Sequence, residues 1–174
     1  MRNECAAPRT FNTQDEELLF AKEKALRLLG DMDRTRKELT DRLLKAGCGE
    51  DVVQQTLAYL SRYSYVDDER YARHYLSRYT AERGRKRIRM ELLQKGVPTE
   101  TLEAVFADTE DAEAERERAA ALARKRAAGL DLSSPRDRNR LLGFLVRRGF
   151  REGDAYMALR ELLNEADLDD PAEL

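Results

Sequence analysis

One pattern occurs three times along this chain and constrains the fold more than any other feature. Each copy begins with Arg-x-Arg, continues through an apolar stripe to a glycine, and ends in a second apolar stripe. The glycines are Gly47, Gly96 and Gly149, which lie 49 and 53 residues apart. Periods of this size are typical of tandem helical units, each too small to bury its own apolar face. We therefore expect stacked units that present an extended surface to a partner.

The apolar residues occupy equivalent positions relative to each glycine. They are Leu39, Leu43, Leu44, Val53 and Leu57 in the first copy, Ile88, Leu92, Leu93, Leu102 and Phe106 in the second, and Leu141, Leu145, Val146, Ala155 and Leu159 in the third. Their spacing follows the period of an amphipathic helix, whereas the alternation typical of strands is missing. The sequence therefore predicts an all-α fold of three tandem three-helix repeats.

Helix-start and helix-stop residues set the predicted boundaries. Asp67 suits the N-cap of the fourth helix, Ser134-Pro135 suits the start of the eighth, and each of the three glycines suits a left-handed C-terminal cap. The first helix is expected to bury Leu18, Leu19, Ala25, Leu26 and Leu29. The predicted segments are a mobile tail at 1–14, repeats at 15–64, 65–108 and 109–166, and an acidic tail at 167–174.

Charge is strongly segregated, although the formal net charge is only −2. Residues 70–95 include nine Lys and Arg against two acids, whereas residues 100–117 include eight acids and one Arg. Residues 161–174 include six acids and no Lys or Arg. Blocks of opposite sign predict that different surfaces meet different partners.

Each Arg-x-Arg lies at the start of the second helix of its unit, so stacking should align the basic residues along one edge. A row of guanidinium groups suits DNA phosphates or a line of carboxylates, because Arg binds either in a bidentate manner. Solvation of exposed helix faces is the alternative interpretation. The candidate contact residues are Arg34, Arg36, Lys37, Arg83, Arg85, Lys86, Arg87, Arg89, Arg136, Arg138, Arg140, Arg147 and Arg148.

Tyrosines concentrate in the middle of the chain, and Tyr71, Tyr75 and Tyr79 share one helical face. Such rings stack on the bases of single-stranded nucleic acid or, alternatively, pack against a neighbouring unit.

Residues for catalysis are scarce. His74 is the only histidine, so neither a histidine-based metal cluster nor a Ser/His/Asp triad is available. Cys5 and Cys48 lack metal-ligand spacing and are expected to be idle reduced thiols. We expect no enzyme activity, no metal and no cofactor. Without an apolar run of membrane-spanning length or a signal peptide, a cytoplasmic protein is expected.

Two motifs are more specific than the repeat. One is Tyr-Val-Asp-Asp-Glu-Arg-Tyr-Ala at 65–72, and the other is Gly-Arg-Lys-Arg-Ile at 84–88 followed by Glu-Leu-Leu-Gln-Lys-Gly-Val at 91–97. Together with the triple pattern, they show that the chain resembles the RecX family, bacterial regulators of the RecA recombinase, over about residues 25–163. The family motif falls on Tyr65, Asp67, Asp68, Tyr71, Gly84, Arg85, Ile88 and Gly96.

The resemblance implies an elongated, curved array of the three repeats with a basic concave side. It also implies binding in the groove of the RecA–DNA filament, where such a protein would restrain strand exchange, ATP hydrolysis and the repressor cleavage of the SOS response. The expected partners are the RecA filament and single-stranded DNA, with double-stranded DNA left open, and a monomer is expected. The alternative is a general DNA-binding helical-repeat protein that acts independently of RecA.

The residues leave two further alternatives open. The basic face meets either RecA carboxylates or DNA phosphates, and the protein acts either within the groove or by capping the growing end of the filament.

Overall fold

Helices account for all the regular structure of residues 10–109 and 112–168, the part of the chain that the computed structural model describes. They are α1 (Gln14–Asp31), α2 (Arg36–Lys45), α3 (Glu50–Arg62), α4 (Asp68–Tyr79), α5 (Arg85–Gln94), α6 (Thr99–Asp108), α7 (Ala112–Ala127), α8 (Pro135–Arg147) and α9 (Glu152–Leu168). The prediction of an all-α chain built from nine helices is confirmed over this range.

The observed ends depart from the predicted ones in a few places. Thr13 caps α1 through its side chain, and Phe11 packs against the core, so part of the predicted N-terminal tail belongs to the fold. Likewise, α9 continues through Asp167 to Leu168. The rest of the two predicted tails, at 1–9 and 169–174, lies outside the described residues.

By contact density the chain divides into two units. Unit 1 contains residues 1–73 and 92–105, and unit 2 contains residues 74–91 and 106–174. The division therefore passes through α4, α5 and α6, the helices of the middle repeat. In the described chain, no helix has both the length and the apolar character needed to cross a bilayer.

The core of unit 1 is built where α1, α2 and α3 pack together. α1 contributes Ala21 and Ala25, whose small side chains let the facing helices approach closely, and Phe20 and Leu28 pack beside them. The prediction that Leu19 and Leu26 are buried is wrong, because both are exposed. The buried stripe of α1 follows the small residues rather than these leucines.

The core of unit 2 is built mainly by α7, α8 and α9. α7 again presents small residues, Ala119, Ala120 and Ala123, toward Leu141 and Leu145 of α8. Among the described residues, three ion pairs join α7 to α9: Arg116 Nε lies 3.5 Å from Asp154, and Arg124 lies 3.6 Å from Glu161 and 2.7 Å from Glu165. The earlier residue of α7 pairs with the earlier residue of α9, and the later with the later, so the two helices run parallel.

Three backbone caps of identical construction mark the repeat. Gly47, Gly96 and Gly149 have φ angles of +94°, +84° and +92°. The next residue donates its N–H to a carbonyl five residues earlier: Cys48 to Leu43, Val97 to Leu92, and Phe150 to Leu145, at 3.1 to 3.2 Å. This is the Schellman arrangement, and in every copy its apolar pair is buried.

One predicted apolar position does not face the core. Leu44, Leu93 and Val146 are all exposed, whereas the neighbouring Leu43 and Leu92 are fully buried. One residue turns a helix by about 100°, so these two positions face different directions. The buried stripe of the second helices is therefore narrower than the sequence pattern.

The Gly149 turn gives a testable prediction. A Cβ there would lie 2.4 Å from Arg87 Cβ and 2.6 Å from its backbone nitrogen, in addition to the positive φ. We expect Gly149→Ala to lower the free energy of unfolding by about 2 to 4 kcal/mol in urea denaturation.

The matched control is Gly153→Ala in α9, where a Cβ meets no atom within 4 Å. That change should leave stability the same or raise it by up to about 1 kcal/mol, since Ala favours helices over Gly. Equal effects of the two substitutions would contradict the packing seen at Gly149.

Candidate partner-binding surface

The N-terminus of α2 is bound by residues of the following repeat. The Thr35 hydroxyl donates to the Lys95 carbonyl at 2.6 Å, and the Arg36 backbone N–H donates to the Asp68 carboxylate at 2.9 Å. Thr35 also caps α2 in a reciprocal box with Glu38. All of these residues lie within unit 1.

The same junction occurs at the N-terminus of α5, within unit 2. The Gly84 N–H donates to the Arg148 carbonyl at 2.9 Å, and the Arg85 N–H donates to the Glu115 carboxylate at 3.0 Å. A Cβ on Gly84 would lie 2.3 Å from the Gly149 carbonyl carbon, so only glycine allows this approach. Each junction thus pairs one carboxylate and one C-terminal carbonyl with the start of a second helix.

The two carboxylates are almost inaccessible, with Asp68 8% exposed and Glu115 4% exposed. Burial raises the pKa of Asp68 above its ordinary value, against the hydrogen bond and the charge of Arg36. Asp68 belongs to the family motif, and the structure gives this motif residue a structural role. Glu115 was missed by the sequence analysis: it lies 30 residues after Arg85, whereas Asp68 lies 32 residues after Arg36, so the two are not at equivalent positions.

The first basic cluster lies at the start of α2. Arg34 donates through Nε to the Leu28 carbonyl at 3.3 Å and is half-buried. Arg36 is exposed, and its guanidinium donates to the Ser61 hydroxyl at the end of α3. Lys37 is exposed and pairs with Asp41 at 2.7 Å.

The middle cluster is largely committed to internal contacts. The Arg83 guanidinium donates to Glu91 at 2.7 Å and to the Tyr75 hydroxyl at 3.1 Å, and it lies 4.2 Å from the centre of the Tyr79 ring. Burial acts to raise the pKa of Glu91, but hydrogen bonds from Arg87, Arg83 and Tyr75 together hold it below its ordinary value. This network uses the face on which Tyr75 and Tyr79 lie.

Arg85 is more enclosed than Arg83, whose side chain is 24% exposed. The Arg85 side chain is 14% exposed, and it donates to the Phe106 and Thr109 carbonyls, both at 2.6 Å. These carbonyls lie near the C-terminus of α6, where a cation complements the helix dipole. Arg85 therefore has a structural role that occupies its guanidinium.

Arg36 and Arg85 hold equivalent places in their repeats, and each binds the end of the third helix of its own repeat. The recurrence of the second Arg in Arg-x-Arg thus has a structural cause in the first two repeats. Recurrence alone does not indicate a binding surface there.

Three further basic residues of the predicted set lie on α5. Lys86 is exposed and Arg89 is half-buried. Arg87 is exposed, donates to Glu91 at 2.9 Å, and places its guanidinium 3.0 Å from the Arg147 carbonyl at the end of α8.

The third cluster keeps the most freely exposed guanidinium groups. Arg136, Arg140 and Arg147 are exposed on α8, and no partner for their side chains is found in the described part of the chain. Arg138 is half-buried, and Arg148 lies 5.1 Å from the centre of the Phe144 ring. Arg136 and Arg140 border an open surface depression at the α8 N-terminus, together with Asp131, Ser134, Asp137 and Asn139. The alignment of the three clusters along one edge stays a prediction.

The remaining motif residues divide between the surface and the framework. Tyr65 is exposed, Asp67 caps α4 by accepting from the Glu69 and Arg70 N–H groups at 3.0 Å, and Tyr71 is half-buried near Lys95. Ile88 is fully buried, and Gly96 turns the chain after α5.

Within residues 10–109 and 112–165, no group of three or more His, Cys, Asp or Glu side chains is arranged to hold a metal ion. Burial raises the pKa of the Cys48 thiol, which fits its place in the unit 1 core. Cys5 lies outside the described residues.

The chain is similar to known proteins along most of its length. Residues 21–60 match the family model of the RecX first three-helix domain, and residues 67–105 match that of the second three-helix domain. The regulatory protein RecX of Mycolicibacterium smegmatis is 37% identical over 161 residues, covering 88% of this chain and 84% of that protein. The RecX of Thermobifida fusca is 33% identical, covering 90% and 89%.

Solved structures agree with this similarity. The crystal structure of RecX from Lactobacillus salivarius superimposes with a TM-score of 0.73 at 25% identity, covering 88% of this chain and 99% of that one. A second crystal structure of a regulatory protein RecX, at 23% identity, shows the same fold with a TM-score of 0.71 and covers 82% and 72%.

The buried carboxylate of Asp68 gives a prediction on stability. Asp68→Ala leaves the Arg36 N–H without an acceptor and should cost about 1 to 2 kcal/mol of unfolding free energy. Asp68→Asn keeps an oxygen acceptor and should cost less at pH 7.

The pH dependence of that difference follows from the raised pKa of Asp68. The stabilisation by the wild-type carboxyl is fully present below the unfolded value of about 4 and declines as pH rises through the folded value. Urea denaturation at pH 3.5 and pH 7 should therefore show the Asn variant gaining on the wild type at the higher pH. A constant difference would contradict this assignment.

Proposed function

The chain belongs to the RecX family of regulatory proteins, and on this premise we propose that it regulates RecA by binding the RecA–DNA filament, mainly as an inhibitor of recombinase and coprotease activity. The supporting observation is the set of exposed guanidinium groups on α8, led by Arg136 and Arg140. A regulator needs charged groups that its own fold does not use, and these two have no described partner. The role is regulatory rather than catalytic.

The internal contacts of two predicted residues support a smaller contact surface than the full predicted set. Arg83 and Arg85 have internal partners, so they contribute chiefly to the framework. The proposed contacts are Lys86, Arg136, Arg140 and Arg147, which are exposed without a partner in the described part of the chain. Arg36, Lys37 and Arg87 are added because they are also exposed, although they bind Ser61, Asp41 and Glu91. Guanidinium and ammonium groups of this kind bind RecA carboxylates or DNA phosphates.

The mechanism that we propose is mechanical restraint. Tandem repeats that contact more than one RecA protomer would hold neighbouring protomers in one relative position and so oppose the subunit movements of ATP turnover. Capping of the growing filament end is the second route, and it would act on filament growth rather than on turnover within assembled filaments.

The charge-reversal variant Arg136→Glu with Arg140→Glu tests the proposed surface. Position 136 lies in the first turn of α8, where Glu is favourable, and position 140 is exposed in the next turn, so α8 should fold normally. In titrations of RecA ATPase on single-stranded DNA, we expect the concentration for half-inhibition to rise at least about tenfold, given the usual strength of charge-assisted hydrogen bonds.

The matched control is Lys125→Glu with Arg160→Glu, which makes the same charge change at exposed positions of α7 and α9. Its inhibition should stay near that of the wild type. Equal loss in both variants would show a general charge effect and remove α8 from the proposed surface.

Binding to bare DNA separates this proposal from its alternative. If the protein binds labelled single-stranded DNA as tightly without RecA as with it, and the affinity falls steeply with salt, the DNA-binding alternative holds. We expect tighter binding to the RecA-coated strand.

A further inference from the structure

The C-terminal end of α3 and the turn into α4 form an exposed corner rich in aromatic rings and cations, within unit 1. Tyr63 is 57% exposed and Tyr65 is 51% exposed. Tyr59 supports Tyr63 from the preceding turn, with ring centres 4.9 Å apart and planes tilted by 54°. We call these three tyrosines with Lys22, Arg36, Arg62 and Arg70 the α3–α4 corner.

The backbone fixes where the two exposed rings lie. Ser64 has a φ of +56°, and the Tyr65 N–H donates to the Leu60 carbonyl at 2.9 Å. This cap folds the chain back over the end of α3, so Tyr63 and Tyr65 are held on either side of the turn. The cap therefore fixes the backbone from which both rings extend.

Cations surround these rings. Lys22 Nζ lies 4.6 Å from the centre of the Tyr59 ring, the Arg36 guanidinium binds Ser61, and the Arg70 guanidinium donates to the Ser64 carbonyl at 3.0 Å. Arg62 is exposed on the last turn of α3. These bonds position the basic groups beside the tyrosines.

The nearby acids already have partners. Asp67 accepts from two backbone N–H groups of α4, and Glu69 pairs with Arg73 at 2.9 Å. The corner therefore offers positive charge together with exposed π faces. A polymer that alternates phosphates with planar bases complements both features, since bases stack on aromatic rings and phosphates bind the cations.

We propose that the α3–α4 corner binds single-stranded nucleic acid by stacking unpaired bases on Tyr63 and Tyr65 while its four cations contact phosphates. This rests on the proposed function in that it names the place where the protein meets the DNA strand. A protein partner is the competing occupant, because tyrosine and arginine also concentrate in protein interfaces.

The test compares base stacking with phosphate binding directly. Fluorescence anisotropy would measure affinity for a labelled oligothymidylate and for an abasic strand of equal length, at one salt concentration and without RecA. The wild type should prefer the strand that carries bases, since stacking on an aromatic ring contributes about 1 to 3 kcal/mol per base. Tyr63→Ala with Tyr65→Ala should lose at least about fivefold in affinity for oligothymidylate and none for the abasic strand.

Two control variants keep the result interpretable. Tyr63→Phe with Tyr65→Phe retains both rings and should bind like the wild type. Tyr156→Ala removes a tyrosine that is 62% exposed on α9 and should leave binding unchanged. Circular dichroism of the Ala pair should match that of the Phe pair, since both positions are exposed.

Several outcomes would overturn the proposal. Equal wild-type affinity for both strands would show phosphate contact only, and unchanged binding by the Ala pair would remove the tyrosines. Loss of RecA ATPase inhibition with unchanged oligonucleotide binding would assign the corner to a protein partner. Base-dependent binding that fails to inhibit RecA would instead contradict the proposed function and leave the corner in place.

Discussion

The junction between consecutive repeats is the interaction on which this fold depends. A helix N-terminus carries unsatisfied N–H groups and the positive end of the helix dipole. At α2 and α5 one of these groups is bound by a carboxylate of the next repeat, Asp68 or Glu115. Both are nearly inaccessible, and a buried carboxylate is costly unless hydrogen-bonded. Because each bond joins one repeat to the next, it contributes to holding the two repeats together.

This junction also determines which arginines remain for a partner. The residues closest to it, Arg34, Arg83 and Arg85, donate to carbonyls or to Glu91 of the same unit. Their positive charge stabilises helix ends and buried acids. On α8, by contrast, Arg136 and Arg140 have no such internal acceptor in the described part of the chain, and their guanidinium groups lie in solvent. A basic block in the sequence is therefore not the same as a basic surface.

Much of the fold follows from local information in the sequence. The glycine caps and the apolar period predict the helices, because both act within a few residues of the chain. The buried face of α1 is different, because it depends on packing against α3. Ala21 and Ala25 are fully buried there, whereas the larger Leu19 and Leu26, which the sequence analysis predicted to be buried, are exposed. The roles of Arg85 and Glu115 depend on residues 21 to 30 positions away, which no local pattern specifies.

The tyrosines also show that the sequence identifies aromatic residues but does not specify which of their rings are covered. Lys95 lies 5.8 Å from the centre of the Tyr71 ring, and Arg83 lies 4.2 Å from that of Tyr79, so in the middle repeat cations cover faces that a base would need. This favours the packing interpretation of Tyr71, Tyr75 and Tyr79. Tyr63 and Tyr65 lie instead at a chain reversal, where both rings are more than half exposed. A base can stack on a tyrosine only if no cation covers the face of the ring, although a cation beside the ring can bind a phosphate. Within unit 1, the α3–α4 corner meets both conditions.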